Sequence, residues 1–203
     1  ASGADGPARD EEAELSRVIR EAGSSPIEFI RALESHLARY PKSDRLPELE
    51  RALVKAAMET RDERRIALYG ERLLEREPDD LQLLERVARA LLAEAKPESA
   101  ERALGYARRS RKLLAAVRPE KPSGRISQGR WNDEVDNAEA RALSLEAKAT
   151  GILGRHAEGA ELAIRSYRTF PTAEAARLAG QCLAASGKPA EADFFRLKGA
   201  LEA

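Results

Sequence analysis

Aromatic side chains are scarce in this sequence, at 4% of 203 residues. β-branched residues are sparse as well, whereas β-strands are normally rich in both kinds. Alanine, leucine, arginine and glutamate dominate instead, and all four favour helices. The composition therefore argues against a sheet and predicts an all-α protein. The 42% of hydrophobic residues are enough for one core or a short solenoid.

The residue types that build most catalytic and metal sites are also rare. Cys182 is the only cysteine, so no internal disulfide is expected, and we interpret it as a buried structural thiol. The two histidines, His36 and His156, stand in a helix and in an inter-helix turn, where we expect packing or surface roles. The clustered ligands that metal sites usually need are missing from the sequence. We therefore predict no catalytic residue, no metal and no cofactor, and a protein that is not an enzyme.

Neither a net charge nor a long apolar run is present. The 35 basic and 35 acidic residues cancel, which gives no global attraction to nucleic acid or to anionic membranes. No stretch approaches the roughly 18–20 apolar residues of a bilayer span, so we expect no membrane insertion. The opening Ala-Ser-Gly-Ala-Asp-Gly suits the flexible start of an exported protein after its cleavage site. We favour an exported or periplasmic location over a trimmed cytoplasmic protein.

Prolines divide the chain at regular places. Pro41, Pro78 and Pro171 each follow an apolar helical run, and proline ends a helix because it lacks the N–H and clashes with the preceding turn. Serine, aspartate or threonine follows each proline, and these side chains are expected to cap the next helix. The spacing predicts pairs of helices joined by short turns.

The clearest helix pair runs from Leu81 to about Val117. A break at Lys96-Pro97-Glu98 separates its two helices, with proline well placed to start the second one. Each helix carries one apolar stripe at helical spacing. The stripes consist of Leu84, Val87, Ala88, Leu91 and Ala95 in the first helix, and of Ala100, Ala103, Leu104, Ala107, Leu114 and Val117 in the second.

The same pattern returns in residues 140–172 and 173–203. Gly154 and Gly187 stand in the inter-helix turns, where glycine provides a left-handed C-cap at little steric cost. Small residues recur where the two helices of a pair would cross. The repeat starts at residues 47 and 81 differ by 34, and those at 140 and 173 differ by 33.

This pattern resembles the tetratricopeptide repeat family, whose period is about 34 residues. In the family pattern the small crossing positions fall to Ala88, Ala100 and Ala107. The resemblance implies a bacterial tetratricopeptide-like helical repeat protein, a right-handed α-solenoid of antiparallel helix pairs that serves as a non-catalytic protein–protein interaction scaffold. Ile66 and Leu73 depart from the pattern, since small residues are usual at their positions.

We predict a single helical-repeat domain spanning residues 1–203. Its segments are a degenerate first repeat or cap at 10–43, repeats at 47–80, 81–117, 140–172 and 173–203, and an insertion loop at 118–130. The helices on both sides of the loop are too long for one repeat, which predicts an extended helical hairpin. Trp131 and Val135 continue the apolar stripe of the helix that follows the loop. They would pack against Leu113, Leu114 and Val117 within the hairpin, or against a second molecule in a homodimer.

In the family, the first helix of each pair lines a concave surface that often holds extended peptides. The resemblance therefore implies a mildly basic groove that binds a protein or peptide. The candidate residues are Arg51, Lys55, Arg89, Lys148, Arg177 and Gln181. A carboxylate clamp of the kind known in the family is not expected, because Lys55, Arg86 and Leu145 replace residues that the clamp uses.

Two other readings remain open at this point. Residues 102–130 carry nine basic side chains against one acidic residue, Glu120, and such an arm could bind an acidic partner or, less plausibly, nucleic acid. Acidic residues at the start of the adjoining helix could instead pair with this arm.

The chain could also be a helical accessory segment of a larger bacterial protein, for example a thioredoxin-like fusion, although it has no Cys-x-x-Cys motif.

Overall fold

The computed structural model describes residues 5–120, 124 and 126–202, with side chains from Asp10 onward. These residues form ten α-helices and no strand, which confirms the predicted all-α class. The helices are α1 (Asp5–Ala22), α2 (Pro26–Arg39), α3 (Leu46–Glu59), α4 (Glu63–Arg76), α5 (Leu81–Ala93), α6 (Pro97–Val117), α7 (Gln128–Ile152), α8 (His156–Thr169), α9 (Ala173–Ala185) and α10 (Pro189–Leu201).

The helices belong to two compact units, and each unit is described by itself. Unit 1 covers residues 1–78 and unit 2 covers residues 79–203. In both units consecutive helices pack against each other, as expected for helix pairs joined by short turns. The division into individual repeats stays a prediction.

The predicted stops and caps account for most helix boundaries. Helices α2, α4 and α8 each end two residues before a proline. Asp80 caps α5 by accepting the Leu83 N–H at 3.0 Å, and Thr172 caps α9 in the same way. The expected cap of α3 by Ser43 is wrong. The Ser43 hydroxyl instead donates to Glu11 of α1, and α3 begins without a side-chain cap.

The two turn glycines take the predicted left-handed conformation, with φ of 75° at Gly154 and 80° at Gly187. The residue after each glycine closes the helix by donating its N–H to a carbonyl five residues back. For Gly187 this bond runs from the Lys188 N–H to the Leu183 oxygen at 2.9 Å. The glycines therefore end α7 and α9 and direct the chain into the next helix.

Two non-glycine residues hold the same conformation in the corresponding turns. Arg61 has a φ of 55° and Ala95 a φ of 51°. The sequence-based placement of Ala95 in the stripe of α5 is therefore wrong, because the helix ends at Ala93. Pro97 disfavours a helical conformation at Lys96, so the chain has to turn before it.

Small residues fill the helix crossings of unit 2, as the repeat pattern predicts. Ala88, Ala100 and Ala107 are at most 1% exposed. At Gly159 an added Cβ would lie 3.2 Å from the Ala147 carbonyl oxygen. Side chains of this size let the backbones of paired helices approach closely. In unit 1, Ile66 and Leu73 are buried in the core although small residues are usual at their positions.

The extended hairpin consists of α6 with 21 residues and α7 with 25. Helix α7 begins at Gln128, inside the segment that the sequence assigns to the insertion loop. Leu114 and Val135 are 6% and 3% exposed within this single chain, and Trp131 is half-buried. Val135 is therefore buried without a second molecule, which agrees with packing within the hairpin. The predicted insertion loop includes residues 121–123 and 125, which lie outside the described residues.

Replacing Ala88 or Ala107 with leucine should overpack a helix crossing, because neither site has room for three more carbons. We expect a loss of roughly 1–3 kcal/mol in the free energy of unfolding for either variant. Circular dichroism melts measure it, with exposed Ala115→Leu on α6 as the control. Two crossing variants as stable as the control would show that the repeat register is wrong.

Ala95→Gly should stabilise the protein, because the left-handed conformation strains alanine and not glycine. The relief of strain exceeds the extra chain entropy of glycine and leaves a gain on the order of 0.5 kcal/mol. The reverse change at the equivalent turn, Gly187→Ala, should cost about 1 kcal/mol. Urea unfolding measures the free energy of unfolding of both variants and of the wild type. Stabilisation by the alanine at 187 would contradict the assignment of these turns.

Trp131→Ala should leave the molar mass of the protein unchanged, because the apolar stripe of α7 packs against α6 of the same chain. The expected effect is local: faster hydrogen exchange in residues 128–135, where the variant loses packing. Light scattering and exchange mass spectrometry measure the two properties. A molar mass that drops on this substitution would favour the homodimer through the hairpin instead.

Candidate functional site

The first helices of the pairs form the inner face of unit 2. Helix α7 contacts both α5 and α9, whereas none of the second helices, α6, α8 and α10, contacts another within the described part of the unit. Helices that lie closer together define the concave side of a curved stack. We call the surface of α5, α7 and α9 the concave face of unit 2.

Four of the six predicted site residues belong to these helices. Arg89 lies on α5, Lys148 on α7, and Arg177 and Gln181 on α9. The side chains of Arg89 and Lys148 are 40% and 36% exposed, so a ligand can reach both. Arg177 and Gln181 are exposed and stand four residues apart, one turn of the same helix.

The other two predicted residues belong to unit 1. Arg51 and Lys55 are both exposed on α3. The Arg51 guanidinium pairs with Glu77, and Lys55 lines an opening of about 350 Å³ beside Ser25 and Phe29 of α2. That all six residues share one groove stays a prediction.

An acidic residue that the sequence reading did not include stands among the predicted cations. Glu174 lies in the first turn of α9, and the Lys148 ammonium donates to its carboxylate at 3.2 Å. This hydrogen bond and the charge of Lys148 lower the pKa of Glu174, with further contributions from Arg89 and Arg177. Three of the predicted site residues are therefore close enough to act on a single carboxylate.

A second ion cluster joins α5 to α7. The Arg141 guanidinium Nε donates to both carboxylate oxygens of Glu85 at 3.0 Å, and Arg89 reaches the same carboxylate at 3.1 Å. Arg141 was not among the predicted residues. Its place seven residues before Lys148 on the same helix is a signal that could have found it.

Six charged side chains take part in these two clusters. They are the cations Arg89, Arg141, Lys148 and Arg177 and the acids Glu85 and Glu174. Exposed ion pairs of this kind are worth little and exchange partners readily.

An apolar opening of about 420 Å³ lies on the same face. Leu92 of α5, Ile152 of α7 and Leu178 of α9 provide its large apolar side chains. Lys148 and Gln181 stand beside this apolar opening. The small residues Ala147, Gly151 and Ala185, together with His156 and Cys182, complete the lining. Sequence reasoning did not find this feature, because its residues come from different helix pairs.

The single thiol is part of this lining. Cys182 is half-buried, packs against the core of α7 to α10, and has its pKa raised by burial. A thiol whose pKa is raised is a poor nucleophile at neutral pH. This agrees with the structural role expected for it, although one side of the residue borders the apolar opening.

The histidines occupy different surroundings. His156 is exposed at the first position of α8. His36 is 2% exposed, and its Nε2 lies 3.3 Å from the Glu11 carboxylate while its ring stacks at a tilt on Tyr40. His36 therefore helps to hold α2 on α1 in unit 1.

Within the described part of the basic arm, Arg118 and Arg130 pair with acidic residues near the start of α7, as the alternative interpretation expected, and other cations of the arm pair elsewhere. Arg118 pairs with Asp136 and Glu139 of α7, each at 2.7 Å. Arg111 lies 2.6 Å from the carboxylate of Glu146, which is 2% exposed. Burial raises the pKa of Glu146, and the Arg111 and Arg108 charges oppose that effect. These contacts fix α6 to α7.

No group of three or more histidine, cysteine, aspartate or glutamate side chains in the described part of the chain could hold a metal ion. No helix in the same part is long and apolar enough to cross a membrane.

No family model and no curated protein sequence matches this chain. Among solved structures, it is similar to the MamA RS-1 ArsTM double mutant, with 19% identity, a TM-score of 0.59, and coverage of 98% of this chain and 95% of that one. It is also similar to MamA 41-end from Desulfovibrio magneticus RS-1, with 20% identity, the same TM-score, and coverage of 98% and 96%. These neighbours are helical repeat solenoids, and at this identity the likeness supports the fold alone.

Proposed function

We propose that this chain is a non-catalytic protein–protein interaction scaffold, and that unit 2 binds a peptide or protein on its concave face. The observation that carries the proposal is the combination of accessible cations and an apolar opening on one side of α5, α7 and α9. Binding sites for peptides commonly join an apolar contact to a few well-placed polar groups.

The residues proposed to contact the partner in unit 2 are Arg89, Lys148, Arg177 and Gln181. Lys148 and Arg89 act on Glu174, whose carboxylate occupies the place that an acidic partner group would take. Such a group can replace Glu174, because the exposed ion pair contributes little by itself. Charge of this kind speeds association and orients the partner more than it adds affinity.

Arg51 and Lys55 are proposed as a second contact surface, on α3 of unit 1. The opening beside Lys55 is bordered by the Ser25 cap of α2 and by Phe29, which again places apolar and polar groups together.

A basic hairpin that binds an acidic partner has less support. Arg108, Arg111 and Arg118 already pair with acidic residues of α7, and Arg109 pairs with Asp79 at 2.7 Å. An added acidic ligand would have to break several of these contacts at once. The role of accessory segment in a larger bacterial protein is compatible with the scaffold proposal, since such a segment would use the same concave face.

The scaffold proposal predicts that charge reversal on the concave face abolishes binding. Arg89→Glu with Lys148→Glu should weaken peptides selected from a random display library by at least about tenfold, because both cations would then repel an acidic ligand. Fluorescence anisotropy with labelled synthetic peptides measures the affinity.

The matched control reverses two exposed cations on second helices of the same unit, Lys112→Glu and Arg168→Glu. The control should bind as the wild type does, and both double variants should melt at the wild-type temperature. Binding that survives the change at Arg89 and Lys148 but fails in the control would place the site on the opposite side of unit 2.

A further inference from the structure

A glycine with open space in place of its side chain lies in the wall of the apolar opening. Gly151 is in the last turn of α7, and an added Cβ would meet no atom within 4 Å. At Gly180, by contrast, the Cβ would lie 3.2 Å from the Ala192 carbonyl oxygen, so a larger residue there would press on the facing helix. Gly154 has another reason to be glycine, its positive φ.

Gly151 therefore lacks both usual structural reasons for a glycine. Its backbone is helical, and glycine weakens a helix relative to alanine. An alanine or a larger residue would fit without a clash and would strengthen α7. The missing side chain leaves the backbone of α7 accessible in the wall of the opening. Glycine is the residue that lets a ligand approach a backbone closely.

The rest of the opening has the chemistry of a side-chain pocket. Leu92, Ile152 and Leu178 give it apolar walls from three different helices, and Ala147 and Ala185 keep its interior wide. Its volume of about 420 Å³ lies within the range of roughly 300–1,000 Å³ that is common for ligand sites. The pocket is therefore suited to a large aliphatic or aromatic group.

Charged and polar groups stand at one edge of the pocket. Lys148 lies one turn before Gly151 on α7, and Gln181 lies opposite on α9. Lys148 lines both the pocket and the adjoining recess that includes Glu174, and its ammonium donates to the Glu174 carboxylate at 3.2 Å. A ligand that fills the pocket therefore places its adjacent atoms next to an accessible cation and to an amide able to pair with a peptide backbone.

We infer that this pocket binds a large apolar side chain of a partner peptide that has an acidic residue directly beside it. The apolar side chain packs against the bare backbone at Gly151, and the carboxylate replaces Glu174 as the partner of Lys148. This inference rests on the proposed function of the concave face and specifies the ligand that the face recognises.

Filling the pocket tests the inference. Gly151→Leu occupies the space without touching the charges, so it should weaken binding of library-selected peptides by at least about tenfold. Gly105→Leu on α6 is the matched control, because its added Cβ also meets no atom within 4 Å and it lies on a second helix. The control should bind as the wild type does. Ala185→Leu, at an exposed position of the pocket wall, is a second blocking variant should Gly151→Leu misfold.

The composition of the bound peptides gives an independent readout. Peptides enriched on the wild type should contain Leu, Ile, Met or Phe next to Asp or Glu, and replacing either member of the pair with Ala or Gln should lower affinity. Bound peptide should also slow labelling of Cys182 by a thiol reagent, because the only thiol of the chain borders the pocket.

The outcomes separate the two proposals. Peptides that lose binding with Arg89→Glu and Lys148→Glu, yet bind both blocked-pocket variants fully, would overturn the pocket inference and leave the scaffold function standing. Enriched peptides without the apolar–acidic pair would overturn it as well. A library that yields no peptide for the wild type would count against both.

Discussion

The close approach of helix backbones at small-residue crossings is the constraint on which the rest of unit 2 depends. Alanines at the crossings are fully buried, and Gly159 and Gly180 sit where a single added carbon would press against a carbonyl oxygen of the facing helix. Such tight contacts hold the two helices of a pair at short distance, so the pairs stack with their first helices adjacent. The concave face, its ion clusters and its pocket all follow from that adjacency.

Charge has two different roles in this protein. Between α6 and α7 the buried carboxylate of Glu146 is held by Arg108 and Arg111, and removing one partner from such a group is costly. On the concave face the pairs are exposed, weak and exchangeable. Equal totals of acid and base therefore conceal a division between ion pairs that fasten helices and ion pairs that a ligand can replace.

Sequence patterns predicted the helices far better than they predicted the site. Prolines and the cap residues Asp80 and Thr172 act on their immediate neighbours, so the ends of helices follow from local chemistry. Two predictions about helix ends were wrong. Ser43 donates a hydrogen bond to Glu11 of α1 instead of capping α3. Ala95 takes a left-handed turn conformation, which the apolar stripe did not reveal. In the candidate site, Arg141 and Glu174 were missed because each contacts a residue of another helix pair: Arg141 pairs with Glu85 of α5, and Glu174 pairs with Lys148 of α7.

The sequence by itself determined the all-α class, most helix ends and the two turn glycines, because each depends on residues within one or two helical turns. Only the tertiary structure decided which cations meet an acid and which remain open to a partner. It alone placed Leu92, Ile152 and Leu178 around one pocket, since these residues are tens of positions apart and come together only through stacking of three helix pairs. The role of Gly151 also depends on the tertiary structure, because only the surrounding atoms show that its missing side chain leaves open space.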